Sequence, residues 1–212
     1  MKTVTNILIL MIIISCNSQN NIKTNTKMKT FDIETFNKNK INNEYNFNIN
    51  DSIRIEQSEW EDEYMSTIKN ENSLFETLEL YYKNGKLKTE IKRFYNRFVI
   101  RYKDYDKKGN VIKEEDLDKP FTYTWEDIKK YLKAHDVEDI KKQVIGISRW
   151  ADEQETTWTL EFNGKYKDIK GHFVITLDGK TGEELEIKLF KGKKALGKDG
   201  TIADYEIIYK KN

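Results

Sequence analysis

Two hairpin turns whose glycines stand 24 positions apart constrain this chain more than any other feature. The first, Lys83-Asn84-Gly85-Lys86, interrupts an alternating run. Leu78, Leu80 and Tyr82 alternate with Glu79 and Tyr81 before it, and Leu87, Thr89 and Ile91 continue beyond it. Asn-Gly tolerates the positive φ angles that a tight hairpin needs. The second unit carries Val99, Ile100, Tyr102 and Tyr105, turns at Lys107-Lys108-Gly109-Asn110, and resumes at Val111 and Ile112. A period of two marks strands with one buried face. An internal repeat of this length marks a supersecondary unit that must pack on its neighbour. Upstream, Tyr45, Phe47 and Ile49, then Ile53 and Ile55, predict one or two short strands around Asn50-Asp51.

The segment Tyr81-Tyr82-Lys83-Asn84-Gly85-Lys86-Leu87-Lys88 resembles the MORN-like repeat of bacterial antitoxin and immunity-type proteins. Tyr105-Asp106-Lys107-Lys108-Gly109-Asn110-Val111-Ile112-Lys113 is a looser copy. The resemblance spans residues 78–115. Such arrays usually hold more copies, with a glycine before the next aromatic pair, where this chain has Phe94-Tyr95-Asn96-Arg97-Phe98. Two units alone make no long array, so they must pack against the downstream part of the chain.

Pro120 closes the repeat region. Thr124 then fits a helix N-cap, with Asp127 three residues on where Glu or Gln is preferred. Trp125, Ile128, Tyr131 and Leu132 fall on one helical face, and Val137, Ile140 and Val144 predict a second short helix. Strands are expected at 145–150, 157–162, 173–177 and 185–190, with an edge strand at 203–209. The turn Asp178-Gly179-Lys180-Thr181-Gly182-Glu183 joins the third and fourth of these. One helix followed by strands containing Trp158-Thr159-Leu160-Glu161-Phe162 and this turn resembles a PepSY-type domain over 124–190. That resemblance implies a small binding or inhibitory module rather than an enzyme. The predicted fold class is α+β: antiparallel β hairpin repeats followed by a helix packed on an antiparallel sheet.

The amino terminus sets the expected address. Lys2 is followed by the apolar run Ile7-Leu8-Ile9-Leu10-Met11-Ile12-Ile13-Ile14. A bilayer core of about 30 Å needs roughly twenty helical residues. The run is shorter and fits a secretory leader. Ile13-Ile14-Ser15-Cys16 resembles the lipobox of bacterial lipoproteins. The resemblance implies cleavage before Cys16, diacylglycerol in thioether linkage on its sulfur, and acylation of the new amino terminus. An uncleaved signal anchor, or a cleaved leader that leaves a stray thiol, is the alternative. Cys16 is the only cysteine, so no internal disulfide can form. The organisation expected is a signal peptide at 1–15, a flexible tether at 16–43, a β-rich MORN-like region at 44–120 and a PepSY-like α+β module at 121–212. The tether reading rests on the scarcity of large apolar residues among Asn, Lys and Thr. The lipobox resemblance implies a lipid anchor in the outer membrane or elsewhere in the cell envelope. In some bacterial groups an acidic run after the cysteine directs lipoproteins to the cell surface. None follows Cys16, which favours a periplasm-facing position.

Removing the leader takes away one of 37 basic residues and leaves 36 against 36 acidic ones. That balance argues against a nucleic-acid partner and against a polybasic membrane patch. The acidic stretch Glu59-Trp60-Glu61-Asp62-Glu63 reads either as an exposed loop or first helical turn with one anchoring ring, or as a contact for a cation or a basic partner. His135 and His172 have no ligand at metal spacing, and no nucleophile elbow or phosphate loop is present. The expected protein is non-catalytic and needs neither metal nor cofactor. It meets the membrane through lipid on Cys16 and binds a protein partner, a toxin or a protease. Trp60, Tyr81, Tyr82, Tyr105 and Trp158 are the candidate binding residues, since Trp and Tyr are enriched at interfaces. Core packing is the alternative for Trp125, Trp150 and Trp158.

Overall fold

The computed structural model describes residues 29–94, 97–196 and 200–212. A short helix, α1 (Ile33–Asn39), precedes seven strands: β1 (Glu44–Asn48), β2 (Ile53–Glu59), β3 (Glu63–Asn70), β4 (Phe75–Tyr82), β5 (Leu87–Phe94), β6 (Phe98–Tyr105) and β7 (Val111–Asp116). Two helices come next, α2 (Trp125–Ala134) and α3 (Ile140–Gln143). Five further strands complete the chain: β8 (Val144–Ala151), β9 (Thr156–Tyr166), β10 (Ile169–Asp178), β11 (Glu184–Leu196) and β12 (Gly200–Lys210). Each group forms one sheet, and every strand pairs antiparallel with its sequence neighbours. The fold is α+β: two β meanders with short helices.

The turn chemistry explains the meander. Gly85 and Gly109 adopt φ of +80° and +91°, conformations that a Cβ disfavours. Asn84 accepts a hydrogen bond from the Lys86 amide at 3.1 Å. Asp106 does the same for Lys108 and Asn110 at 2.8 and 2.9 Å. A register shift accompanies each turn, at Leu80/Tyr81 and at Asp104/Tyr105. The repeat is therefore one bulged hairpin, built twice. Residues 63–70 form a strand that the sequence reading lacked, so Glu59 and Glu63 end and begin strands on either side of a short turn.

Helix α2 begins as its cap requires. Thr124 accepts from the Asp127 amide, and Asp127 accepts from the Thr124 amide at 3.1 Å. Its buried Ile128 and Leu132 meet Leu160, Phe162, Phe173, Ile175, Leu177 and Ile187, all fully buried. This core also holds Phe94 of β5 and Phe121, with Phe75 and Phe98 packed against it. The two β regions thus share one core across the expected boundary at 120/121. The second predicted helix is shorter than expected: Val137 is buried ahead of α3, and Val144 opens β8.

The leader and Cys16 lie outside the described residues. The tether reading, by contrast, is corrected from residue 29 onward. The Phe31 amide donates to the Gly85 carbonyl at 2.8 Å, and Thr30 bridges Lys86. Phe31 and Phe36 are buried with Tyr64, Tyr81 and Leu87 in a second, smaller core. Composition missed this because only two rings in a polar stretch do the packing.

Candidate functional site

The β2–β3, β4–β5 and β6–β7 turns lie at one end of the seven-stranded sheet, together with the α1–β1 link. Four of the five sequence-predicted binding residues gather there. Trp60 tops the β2–β3 turn with 61% of its surface exposed. Its indole N–H donates to Ser58 Oγ at 3.1 Å, which leaves the ring face open. Tyr82 and Tyr105 are half-buried, and the Tyr82 hydroxyl donates to the Tyr105 carbonyl at 3.0 Å.

Two of the five, Tyr81 and Trp158, are corrected to structural roles. Tyr81 is buried, and its hydroxyl donates to the buried Glu79 carboxylate. Burial, then Glu79, pushes its hydroxyl far above the usual range. Trp158 is 2% exposed, and its N–H donates to the Tyr123 carbonyl at 3.0 Å. It sits among Phe98, Phe121 and the Arg149 guanidinium, which lies 4.7 Å and 4.6 Å from the two phenyl centroids. Period-two alternation showed that these rings share a face with their i±2 neighbours but not which face is covered. Trp125 packs edge-on against Phe75 and Phe94, whereas Trp150 is exposed.

Charges tie the turn end together. Glu59 accepts from Lys40, and from Lys83 at 2.9 Å. Lys83 also donates to the Trp60 carbonyl at 2.8 Å and lies 4.6 Å from the Tyr64 ring centroid. Lys88 pairs with Glu63 at 2.7 Å. Lys86 donates to the Lys107 carbonyl at 3.1 Å, which links the second and third turns. Glu61 and Asp62 beside Trp60 have no ion pair among the described residues. The rim therefore carries both signs around an exposed ring.

The Lys40 and Lys83 ammonium groups hold the Glu59 carboxyl down at about 2. Its folded value lies below its ordinary value near 4.5. The stabilisation it provides is therefore fully present above about pH 4.5 and lost as pH falls through about 2. Carboxyl-detected NMR is expected to show Glu59 titrating near pH 2. Lys83 bridges Glu59 and the Trp60 carbonyl, so acidification through about pH 2 is expected to shift the Trp60 signals, and Glu59→Gln is expected to abolish that shift. The energetic effect is modest, because all three side chains remain partly exposed to water.

Neither histidine belongs to this site. His135 caps α2, with Nδ1 2.7 Å from the Tyr131 carbonyl and its ring stacked on Tyr131. His172 Nε2 lies 2.8 Å from Glu161 Oε1. Among the described residues no group of three or more His, Cys, Asp or Glu could hold a metal. No helix of the described residues is long and apolar enough to cross a membrane. A concavity of about 640 Å³ lies between the β3–β4 turn and α2–α3, floored by Leu74, Phe75, Trp125 and Ile140. The sequence offered no signal for it, because it forms where the β3–β4 turn faces helices more than fifty residues further along the chain. No protein-family model, curated protein or solved structure matches this chain.

Proposed function

We propose that this is a membrane-anchored, non-catalytic protein-binding lipoprotein. Its partner docks on the turn end of the seven-stranded sheet, and its role is to neutralise a toxin in the cell envelope. The observation that carries this reading is Trp60: a large ring held outward by its own turn and rimmed by charges of both signs. Interface hot spots are enriched in Trp, Tyr and Arg. The lipobox-like Ile13-Ile14-Ser15-Cys16 and the MORN-like hairpins support the same reading. Acyl chains on Cys16 would hold the protein at the membrane, each buried CH₂ contributing about 0.8 kcal/mol.

The test pairs an exported candidate toxin, encoded beside this protein, with the full chain on a second plasmid. Rescue of growth is expected from the parent and is expected to fail with both Cys16→Ser and Trp60→Ala. Trp60→Ala is expected to change folding stability by no more than about 0.5 kcal/mol, as for other exposed positions. Its failure to rescue would then report lost binding rather than unfolding. No rescue by the parent, together with no co-purifying partner, retires the proposal.

A further inference from the structure

One face of the seven-stranded sheet carries an arrangement that protein docking at the turn end does not use. The register lines up Ile68, Thr77, Lys92 and Arg101 in one row across β3 to β6. A neighbouring row on the same face holds Ser66, Glu79, Glu90, Lys103 and Glu114. In the second row Glu79 and Glu90 are also direct cross-strand partners of like sign, but every charged side chain has an ion-pair partner. Lys29 bridges Glu79 and Glu90 at 2.6 and 2.8 Å, and Lys103 meets Glu114 at 2.8 Å. The first row is not matched. Lys92 and Arg101 are direct cross-strand partners of like sign, and neither has an ion pair among the described residues. Lys92 only approaches the Phe75 ring, 5.3 Å from its centroid. Asp116 is the strand partner of Arg101 on the far side but forms no ion pair with it.

Like charges placed directly opposite each other destabilise a sheet. Sites that break a local rule in this way are typically functional ones. The two cations also line a concavity of about 210 Å³, floored by Ile68 and Thr77 and walled by Lys29, Glu90 and Lys103. We infer that this niche binds a phosphate group. Cations enter it from the amino-terminal segment, β5 and β6, which surrounds a ligand rather than meeting it along one edge. A carboxylate offers two oxygens and one charge. A phosphate monoester offers three terminal oxygens and about −1.5 to −2. The Arg101 guanidinium supplies a planar fork suited to two of those oxygens. The Thr77 hydroxyl and the lysines lie around the rest.

The test titrates the full chain with inorganic phosphate against chloride at constant ionic strength. A saturable change is expected in the amide NMR signals of the Thr77–Lys92–Arg101 row, with a higher melting temperature. Arg101→Gln is expected to weaken binding about tenfold. In chloride alone that variant should melt at or above the parent temperature, because a like-charge contact is gone. Glu90→Gln is expected to tighten binding by removing the carboxylate in the niche wall, which now holds Lys29. Sedimentation with vesicles containing phosphatidic acid, whose headgroup is a phosphate monoester, against phosphatidylcholine alone, separates the two sources of phosphate. Loss of retention in Arg101→Gln, in a Cys16→Ser background, assigns a lipid headgroup. Phosphate binding without that difference assigns a soluble phosphate ester. The absence of a saturable phosphate response, or parent-like affinity in Arg101→Gln, overturns the inference.

Discussion

Phe36→Ala is expected to destabilise the chain by about 3–5 kcal/mol, the range for truncating a buried aromatic ring. Phe36 is fully buried, although it sits in a helix of seven residues. A helix that short is marginal by itself. Its position depends on the ring, which meets Phe31 and Tyr64 with centroids 5.2 and 5.7 Å apart. Phe31 in turn stacks on Tyr64 at 4.6 Å. Loss of Phe36 therefore loosens a five-residue core rather than one contact. Lys29 would be loosened with it, which leaves the Glu79 carboxylate, buried at 4% side-chain exposure, without its ammonium partner. The opening is expected to be local first. Limited proteolysis should cut within 29–43 well before the sheets unfold, and urea melts should shift to lower midpoints. Unchanged protection of 29–43 would show that the segment is held by something other than this core.

How much of this was legible beforehand depends on the range of the interaction. Asn84-Gly85 and Gly109 announced their hairpins because turn chemistry is local, and the Thr124–Asp127 cap announced α2 for the same reason. Trp60 lies in a turn, so its exposure follows from its place in the chain. Alternation could not show that Tyr81 is buried, and it left Trp158 open between binding and core packing, because it assigns residues to two faces without saying which face is covered. Phe31 and Phe36 were hidden in a polar segment, since their partners Tyr64 and Tyr81 lie about thirty to fifty residues away along the chain. The Lys92–Arg101 juxtaposition depends on strand register, including a shift just beyond Lys92. Spacing along the chain does not reveal it.

Gly182→Ala is the companion prediction for the larger core. In the sequence Gly182 belongs to a turn motif, and its φ of +75° agrees with that role. A left-handed conformation costs a residue with a Cβ about 1–2 kcal/mol. The structure adds a second reason: an ideal Cβ at 182 would overlap the Tyr123 ring. The neighbouring backbone fixes that approach, because the Tyr123 amide donates to the Gly179 carbonyl at 3.0 Å and Thr122 Oγ1 donates to the Lys180 carbonyl at 2.7 Å. The turn thus clasps the segment that leads from the first sheet into α2. Overpacking adds about 1–3 kcal/mol, so the total expected loss is about 2–5 kcal/mol. Combining Gly182→Ala with Tyr123→Ala separates the two causes. The double substitution is expected to cost less than the sum of the singles, because the ring that the new methyl would strike is gone. The backbone share should persist in the double variant. Strict additivity in urea-melt free energies would mean that Tyr123 swings aside at no cost and that backbone conformation alone demands the glycine.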